Sequence, residues 1–439
     1  MALLGSQSYL QKVLVIGGGG REHAICWKLA QSKLCDKVYC APGNGGTALE
    51  GKVENVPIAV NEFDKLAQFA VDNKIDLVVV GPDNPLADGI VDRLEKSNLV
   101  VFGPTKDQSK LEWSKAHAKQ VMDNLAIPTP RYVIARSYED AKKSALEHDW
   151  ARVVKVDGLA LGKGVFVCDS QEEVLQALAE IFENQTFGDA GRVVLLEEKI
   201  DGEELSLLML CDGKHLVEMP ACQDHKRRFD DDKGPNTGGM GAYSPVDLYD
   251  RHKAEIQAKI FRPLQKALAE NKLSFKGVLY AGIIVSKAGP QVLEFNARFG
   301  DPETQALLPR MKSDLLVALF ACATGELDQV EIEWVPESSC CVVAVGDKYP
   351  ASSSKGETIT FDEQLANNAT EPYLFHAGTK HGNGGVITDG GRVLSVVALA
   401  PTMEDAAKKC YEGLNQVSFK GMEFRKDIAR RAFKQCHSN

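Results

Sequence analysis

The chain has 439 residues, of which 44% are hydrophobic and 26% charged, and its formal net charge is −10. This length predicts about two to four domains with sizeable cores. The acidic charge and the lack of any apolar run of about 18 residues exclude a general nucleic-acid surface and a membrane span. Residues 1–11 lack the features of a signal peptide and the cysteines form no C-x-x-C pair, so the sequence predicts a cytosolic protein with reduced thiols.

The first predicted strand, Lys12–Ile16, ends in four glycines and precedes a helix predicted over Arg21–Ser32. A strand, a glycine turn and a helix N-terminus suit a phosphate, because the first N–H groups of a helix are free. The glycines do not fit G-x-G-x-x-G, since its third glycine falls on Glu22 or His23. The next strand, Lys37–Cys40, also lacks the terminal acid that would bind an adenosine ribose. The sequence therefore disfavours NAD.

Three more glycine-bearing loops each follow a predicted strand, at 42–47 (PGNGGT), 81–86 (GPDNPL) and 103–105 (GPT). The carboxyl ends of the strands in an open parallel sheet share one edge, so these loops are expected to converge. Exposed N–H groups and small side chains at that edge suit a phosphorylated sugar. Ordinary turn chemistry is the alternative explanation for each loop taken separately.

A helix is predicted over Leu111–Asn124, and the prolines of Ile127–Pro130 indicate a domain joint. The strand Arg152–Val156 then contains Lys155 and leads into DGLALGKG at 157–164. A lysine on a strand beside a glycine-rich loop with its own lysine can cover nucleotide phosphates without crowding them. The loop is not a Walker A motif, because its glycines enclose three residues rather than four.

Two polar stretches follow. The acidic turn EEKIDGEE at 197–204 could contact an adenine edge and a ribose diol, although such a turn is more often merely charged. The stretch 224–243 (DHKRRFDDDKGPNTGGMGAY) has no hydrophobic periodicity, so we expect a long functional loop rather than a packed element. A disordered surface loop is the alternative.

A hairpin is predicted from the strands Val278–Ser286 and Pro290–Phe295. Its second strand leads into Glu294 and Asn296, which share a face because they lie two residues apart. A carboxylate and an amide oxygen are suitable ligands for Mg²⁺ carried by nucleotide phosphates. The alternative is an ion pair with Arg298 that caps the strand.

The rest of the chain is predicted to hold an apolar helix over Leu307–Ala323 and a last domain from about residue 335. That domain has short strands and a helix over Met403–Val417. His376, on one of its strands, is expected to be a core histidine rather than a ligand.

Eight motifs together resemble the glycinamide ribonucleotide synthetase family, the phosphoribosylamine–glycine ligases of purine biosynthesis, which are ATP-grasp enzymes. They are GGGGREH at 17–23, PGNGGT at 42–47, GPDNPL at 81–86, Lys155 with DGLALGKGV, LLEEKIDGEE at 195–204, QDHKR at 223–227, GPNTGGMGAY at 234–243 and LEFNARFGDPE at 293–303. The similarity runs from about Lys12 to RKDI at 425–428. It is closest to the first domain of animal trifunctional purine biosynthetic proteins, which leaves room for further purine-pathway domains in the full-length chain.

This resemblance implies an α/β and α+β protein with an ATP-grasp fold. The expected parts are a Rossmann-like parallel-sheet domain (1–110), a large ATP-grasp lobe (111–124 and 196–334), a hinged small lobe (125–195) and a C-terminal mixed β domain (335–439). The expected small molecules are ATP, glycine and phosphoribosylamine, with Mg²⁺ or Mn²⁺ as the metal. A cytosolic monomer is expected.

The resemblance also assigns site residues. Those expected to bind ATP are Lys115, Lys155, Glu197, Glu198, Lys199, Ile200, Glu204, Arg227 and Asn236. Those expected to bind substrate are Gly18, Gly19, Asn44, Gly45, Thr47 and Asp83, although the first loop reads GGGG where many relatives have a serine or asparagine. Glu294 and Asn296 match the metal ligands, with Glu303 as a supporting group.

Two residues are expected to act in catalysis. Arg298 would steady the transferring phosphoryl group or the oxyanion of the tetrahedral adduct, and Asp301 would receive the glycine ammonium. Two alternatives stay open for the whole chain: another ATP-grasp carboxylate–amine ligase, or a non-catalytic regulator that binds a nucleotide or a sugar phosphate.

Overall fold

The computed structural model describes residues 12–159, 164–361, 365 and 370–436. The absent signal peptide at 1–11 and the second lysine of the glycine loop, Lys163, are therefore predictions that lie outside the described residues. No helix in the described part of the chain is both long and apolar enough to cross a membrane.

The N-terminal part is an open parallel sheet of five strands in the order β3-β2-β1-β4-β5. Its strands are β1 (Lys12–Gly17), β2 (Lys37–Pro42), β3 (Val53–Asn55), β4 (Leu77–Val80) and β5 (Val101–Phe102), and its helices are α1 (Gly20–Ala30), α2 (Phe63–Asp72), α3 (Asp83–Asp88) and α4 (Ile90–Glu95). Val13 and Val15 pack into one core and Leu14 and Ile16 into another, so both faces of β1 are covered. The sheet order reverses between β1 and β4, where ligands of such folds bind.

The helix predicted over Leu111–Asn124 is broken in two, into α5 (Lys110–Trp113) and α6 (Lys115–Asn124). Ser114 is extended, and its hydroxyl caps α6 by accepting a hydrogen bond from the His117 N–H. The prediction of one helix was wrong because apolar spacing continues across the break.

A four-stranded antiparallel sheet follows, in the order β6-β9-β7-β8. It comprises β6 (Tyr132–Ala135), α7 (Tyr138–Glu147), β7 (Ala151–Val156), β8 (Val165–Val167), α8 (Gln171–Phe182) and β9 (Val194–Glu198). Val154, Leu178 and Ala141 belong to a separate hydrophobic core. This region therefore has a hydrophobic core of its own.

The next sheet has the order β11-β10-β16-β17. The part of the chain that contains these four strands comprises β10 (Glu203–Cys211), β11 (Leu216–Glu218), β12 (Gln223–Asp224), β13 (Arg227–Phe229), β14 (Lys233–Asn236), β15 (Gly241–Ser244), α9 (Asp247–Ile256), α10 (Arg262–Ala269), β16 (Gly277–Ser286) and β17 (Gly289–Asn296). The predicted hairpin is present as β16 and β17.

The stretch 224–243 is not an irregular loop, and the prediction that it holds no packed element was wrong. β13 and β14 pair as a hairpin, with Arg227 opposite Asn236. β15 pairs with β12 on one side and with a strand of the C-terminal region on the other. His225 and Arg228 are buried between them, at 1% and 2% exposure.

The apolar stretch after β17 is also divided, into α11 (Glu303–Leu307) and α12 (Leu315–Thr324). Pro309 offers no N–H to continue a helix, and the Asp314 carboxylate caps α12 by accepting from the Leu316 N–H. The single helix predicted over Leu307–Ala323 was therefore wrong.

The C-terminal region completes a sheet in the order β12-β15-β18-β24-β21, with β26 also on β18. All of its strand pairs are antiparallel, so the mixed β arrangement expected for this domain is wrong for this sheet. Its elements are β18 (Ser338–Gly346), β19 (Ser354–Thr358), β20 (Thr360–Phe361), β21 (Tyr373–His376), β22 (Thr379–Gly382), β23 (Gly385–Gly390), β24 (Arg392–Ala400), α13 (Met403–Leu414), β25 (Val417–Ser418), β26 (Met422–Glu423) and α14 (Arg430–Cys436). Because β15 pairs with β18, this sheet joins residues on both sides of the predicted boundary at 335.

Two buried histidines give a testable pH dependence of stability. Burial lowers the pKa of His225 and of His376 to about 3, and His376 is the core histidine that was expected. The unfolded chain would protonate both near pH 6.5, so the stability they contribute is complete above that pH and is lost as the pH falls towards 3.

We therefore expect the free energy of unfolding to fall by about 1.4 kcal/mol per pH unit for each histidine below pH 6.5. Urea denaturation from pH 7.5 to 5 measures this slope. His376→Gln should flatten it, and the same substitution at the partly exposed His252 is the control. An unchanged slope in His376→Gln would contradict the neutral buried state.

Candidate active site

The two oxygen ligands predicted on β17 lie on the same face of the strand. Glu294 is opposite Gly282 and Asn296 is opposite Tyr280, while Phe295 between them is buried in the core. Burial alone would raise the pKa of Glu294, but Lys226, Lys155 and Lys115 hold it below its ordinary value. The carboxylate is therefore ionised and faces a group of cations.

Arg298 lies beside this pair. Its Nη2 is 3.2 Å from Asn296 Oδ1 and 3.0 Å from Glu112 Oε1, and its Nη1 donates to the Phe299 carbonyl. Within the described residues its buried Nε has no hydrogen-bond partner. The ion pair that was the alternative explanation for Arg298 thus exists, but Glu112 is the partner rather than Glu294.

Lys155 and Glu197 form a buried ion pair of 2.7 Å across neighbouring strands β7 and β9. Glu197 also lies 3.3 Å from Lys119, whose Nζ donates to Thr129. The Glu197 side chain is 1% exposed, so a contact of this residue with adenine would involve its backbone. Its carboxylate keeps the two lysines together at the cleft between the sheets.

Three other charged residues of the acidic turn at 197–204 each have a different partner. Glu198 accepts two hydrogen bonds of 2.8 Å from Arg131, and Lys199 pairs with Asp169. Glu204 lies 2.8 Å from Lys226, which lowers its pKa despite burial. Lys226 also lowers the pKa of Glu294. The ammonium group of Lys226 therefore stabilises carboxylates of both the acidic turn and β17. Ile200 is half-buried.

Arg227 and Asn236 are cross-strand neighbours on the β13–β14 hairpin. Arg227 Nη1 donates to the Gly234 carbonyl at 2.7 Å, and Asn236 is exposed. The fully buried Arg425 anchors the hairpin from below, through Asp232 at 2.9 Å and the Arg227 carbonyl at 3.1 Å. The C-terminal segment therefore fixes these two predicted phosphate contacts.

The loops after β1 and β2 lie in contact with each other, as expected. Asn44 Nδ2 donates to the Gly18 carbonyl at 3.0 Å, and its carbonyl accepts from the Thr47 hydroxyl. A side-chain carbon on Gly18 would come within 2.6 Å of the Gly43 carbonyl, so the two loops are in close contact. The Gly19 N–H is already bonded to Glu22 at 2.6 Å, so a bound phosphate would need other donors of this loop.

The other two predicted substrate residues lie at the same edge. The Gly45 N–H donates to the Thr379 carbonyl at 3.1 Å, which ties the second loop to the C-terminal region. Asp83 stands at the start of α3, three residues after β4 ends. Burial would lower the pKa of Arg298, but Glu112 and, to a smaller extent, Asp83 raise it.

Asp301 lies where three parts of the chain meet. Its Oδ1 accepts from Gln305 at 2.7 Å, and its Oδ2 is 3.2 Å from Arg392 Nη2 on β24. A side-chain carbon on Gly19 would lie 3.4 Å from the same Oδ2. Burial would raise the pKa of Asp301, but Arg392 and Arg21 hold it below its ordinary value. An ionised carboxylate is thus placed beside the N-terminal glycine loop.

Glu303 is a buried acceptor rather than an exposed ligand. Its Oε1 accepts from the Tyr280 hydroxyl at 2.7 Å and from Ser206 at 3.3 Å. Tyr280 is also the strand neighbour of Asn296. Glu303 therefore supports the sheet beneath the predicted metal ligands.

Sequence reasoning missed Glu112, Lys226 and Arg392. Glu112 carried one signal, a charge within the first turn of the helix predicted over Leu111–Asn124. Lys226 lies within the QDHKR motif at 223–227, but its ion pair with Glu204 and its effect on the pKa of Glu294 depend on the fold. Arg392 carried no signal, because its partner Asp301 is distant in sequence.

The chain matches three domains of phosphoribosylglycinamide synthetase. The N domain matches residues 11–112, the ATP-grasp domain residues 113–304, and the C domain residues 339–431. The chain is 46% identical over 421 residues to the phosphoribosylamine–glycine ligase of Halalkalibacterium halodurans, covering 96% of this chain and 97% of the relative. It is 44% identical over 423 residues to a bifunctional purine biosynthetic protein of Schizosaccharomyces pombe, covering 95% of this chain and 53% of that protein.

Two solved structures have folds similar to that of this chain. The phosphoribosylamine–glycine ligase of Thermotoga maritima has a TM-score of 0.82 at 31% identity, covering 95% of this chain and all of the other. A biotin carboxylase of Campylobacter jejuni has a TM-score of 0.71 at 16% identity, covering 95% of this chain and 93% of the other, and shows the fold alone. The predicted resemblance and the ATP-grasp fold are confirmed, and the chain belongs to the phosphoribosylglycinamide synthetase family.

Proposed function

We infer that this protein is an ATP-dependent phosphoribosylamine–glycine ligase of purine biosynthesis. It joins the carboxyl group of glycine to the amine of 5-phosphoribosylamine and releases ADP and phosphate. The observation that carries this inference is the shared face of Glu294 and Asn296, with Arg298 Nη2 3.2 Å from Asn296 Oδ1 and with lysines that lower the pKa of Glu294 despite its burial. Family membership selects this ligase among carboxylate–amine ligases.

The donor set fits a magnesium ion. Glu294 is ionised, Asn296 offers a neutral oxygen, and both belong to the hard ligands that Mg²⁺ prefers. When bound, the ion would offset the charge of the nucleotide phosphates. The same oxygens would accept Mn²⁺, so the choice between the two metals depends on supply rather than on these ligands.

Nucleotide contacts follow from the cleft between the small lobe and the sheet of β10 and β17. Lys115, Lys155, Arg227 and Asn236 would hold the triphosphate, and Glu204 would accept the ribose hydroxyls. Glu197, Glu198, Lys199 and Ile200 would border the adenine. We propose that the small lobe, 125–195, closes over the phosphates, which keeps water from the reactive intermediate.

The reaction proceeds in two transfers. A glycine carboxylate oxygen attacks the γ-phosphorus of ATP, ADP leaves, and glycyl phosphate forms. The amine of phosphoribosylamine then attacks the glycyl carbonyl carbon, phosphate leaves with the bridging oxygen, and the amine loses a proton. The first transfer depends mainly on positioning and electrostatic stabilisation, which the lysines and Arg298 provide.

The substrates would occupy the edge where the N-terminal loops meet the β17 loop. The carboxylate of Asp301 would bind the glycine ammonium. Phosphoribosylamine would lie along the loops, in contact with Gly18, Gly19, Asn44, Gly45, Thr47 and Asp83. Arg298, whose buried Nε has no hydrogen-bond partner among the described residues, would serve the phosphoryl group or the oxyanion of the adduct.

Omission of single substrates tests this function. We expect ADP release to require both glycine and phosphoribosylamine, measured with each left out in turn. Release with another amino acid or amine would identify a different ATP-grasp ligase. Nucleotide binding without any release would identify a regulator, and either result would contradict the proposal.

A further inference from the structure

Glu112 is a buried carboxylate that contacts the two residues after Asn296, which are Ala297 and Arg298. It lies on α5, and its side chain is 8% exposed. One carboxylate oxygen is 3.0 Å from Arg298 Nη2, and the other accepts from the Ala297 N–H at 2.8 Å. The Glu112 side chain thus fixes both the backbone of Ala297, directly after β17, and the guanidinium of Arg298.

These contacts leave Arg298 with little freedom. Its Nη1 and Nη2 are occupied by the Phe299 carbonyl, the Asn296 side chain and Glu112. A planar guanidinium held at both terminal nitrogens has a fixed orientation. Its buried Nε, which has no hydrogen-bond partner in the part of the chain that the structure describes, therefore points in one direction only.

The segment 112–116, which begins with Glu112, also contacts the small lobe. Two residues after Glu112, the Ser114 hydroxyl lies 3.2 Å from one Asp157 oxygen, and the Ala116 N–H donates to the other at 3.0 Å. Asp157 directly follows β7, the strand that carries Lys155. The segment 112–116 therefore connects Arg298 with the start of the glycine loop.

We propose that Glu112 is a positioning residue that aims Arg298 at the acyl phosphate and holds it in register with the phosphate-covering lobe. This inference rests on the proposed function. Glu112 makes no contact with substrate in this proposal. It acts only through Arg298.

A double-mutant cycle tests the proposal. Glu112→Gln keeps the size and an acceptor for Ala297 but removes the charge that holds the guanidinium. We expect kcat to fall about tenfold or more while KM for ATP changes less than about threefold, since one misplaced electrostatic group commonly costs that much. In an Arg298→Lys background, the same change should lower kcat less than about threefold, because the oriented fork is already gone.

Equal losses of kcat in both backgrounds would overturn the proposal, since a merely structural role adds to any other change. Glu112→Asp, which keeps the charge, should retain more kcat than Glu112→Gln, and it serves if the glutamine variant does not fold. Glu95→Gln removes a half-exposed partner of Lys276 and is the matched control. Wild-type ADP release that depends on glycine and phosphoribosylamine establishes the proposed function separately, so failure of the cycle would remove the role of Glu112 alone.

Discussion

Replacement of Glu294 by glutamine is expected to lower turnover by about 10³-fold or more, because it removes the only charged oxygen of the proposed metal site. The amide has nearly the same shape, so β17 should keep its pairing with β16. It would also remove the buried negative charge that Lys226, Lys155 and Lys115 stabilise. The nucleotide phosphates would then be held by cations without a correctly placed metal.

Steady-state ADP release at saturating substrates measures this effect, and thermal melting followed by circular dichroism checks the fold. Glu218→Gln is the matched control, since Glu218 is a carboxylate on β11, at the other edge of the same sheet, bound to Tyr249 and Gln257. The control should keep its activity. Wild-type turnover in Glu294→Gln would remove the metal assignment.

Arg298→Lys is expected to lower kcat by about 10²–10³-fold, the usual cost of one preorganised donor in such a site. Lysine retains a positive charge for Glu112, which avoids the cost of about 3–5 kcal/mol for a buried carboxylate left unpaired. It cannot reproduce the planar fork or the Nε donor of arginine. KM for ATP should change little, because the nucleotide contacts lie on other elements.

Separate measurement of kcat and of KM for each substrate distinguishes this expectation from a loss of folded protein. Arg310→Lys provides the control, because Arg310 is a buried arginine bonded to the Glu337 carbonyl and to Ser244. That variant should lose stability but keep kcat. If Arg298→Lys kept wild-type kcat and the control did not, Arg298 would not serve the phosphoryl transfer.

Local patterns in the sequence predicted the parts of the fold that depend on neighbouring residues. The glycine turn after β1 and the β16–β17 hairpin follow from short apolar runs joined by turn residues. The shared face of Glu294 and Asn296 follows from the two-residue period of a strand. These are the features on which the candidate metal site depends.

The remaining features depend on partners far along the chain. β13, β14 and β15 have only three or four residues each, and Gly241 pairs with Val342, so no local pattern marks them as strands. The break at Ser114 depends on Asp157, and Glu112 finds Arg298 only in the folded chain. Sequence periodicity cannot report such contacts, because it describes one element at a time.

Transfer of an oxygen isotope tests the central claim, that the glycine carboxylate is activated by phosphorylation at this site. Glycine labelled with ¹⁸O in its carboxyl group is incubated with ATP, phosphoribosylamine and the enzyme, and the released phosphate is analysed by mass spectrometry. The account predicts one ¹⁸O atom in each phosphate, because the bridging oxygen of glycyl phosphate comes from glycine. Unlabelled phosphate, formed together with product, would contradict it.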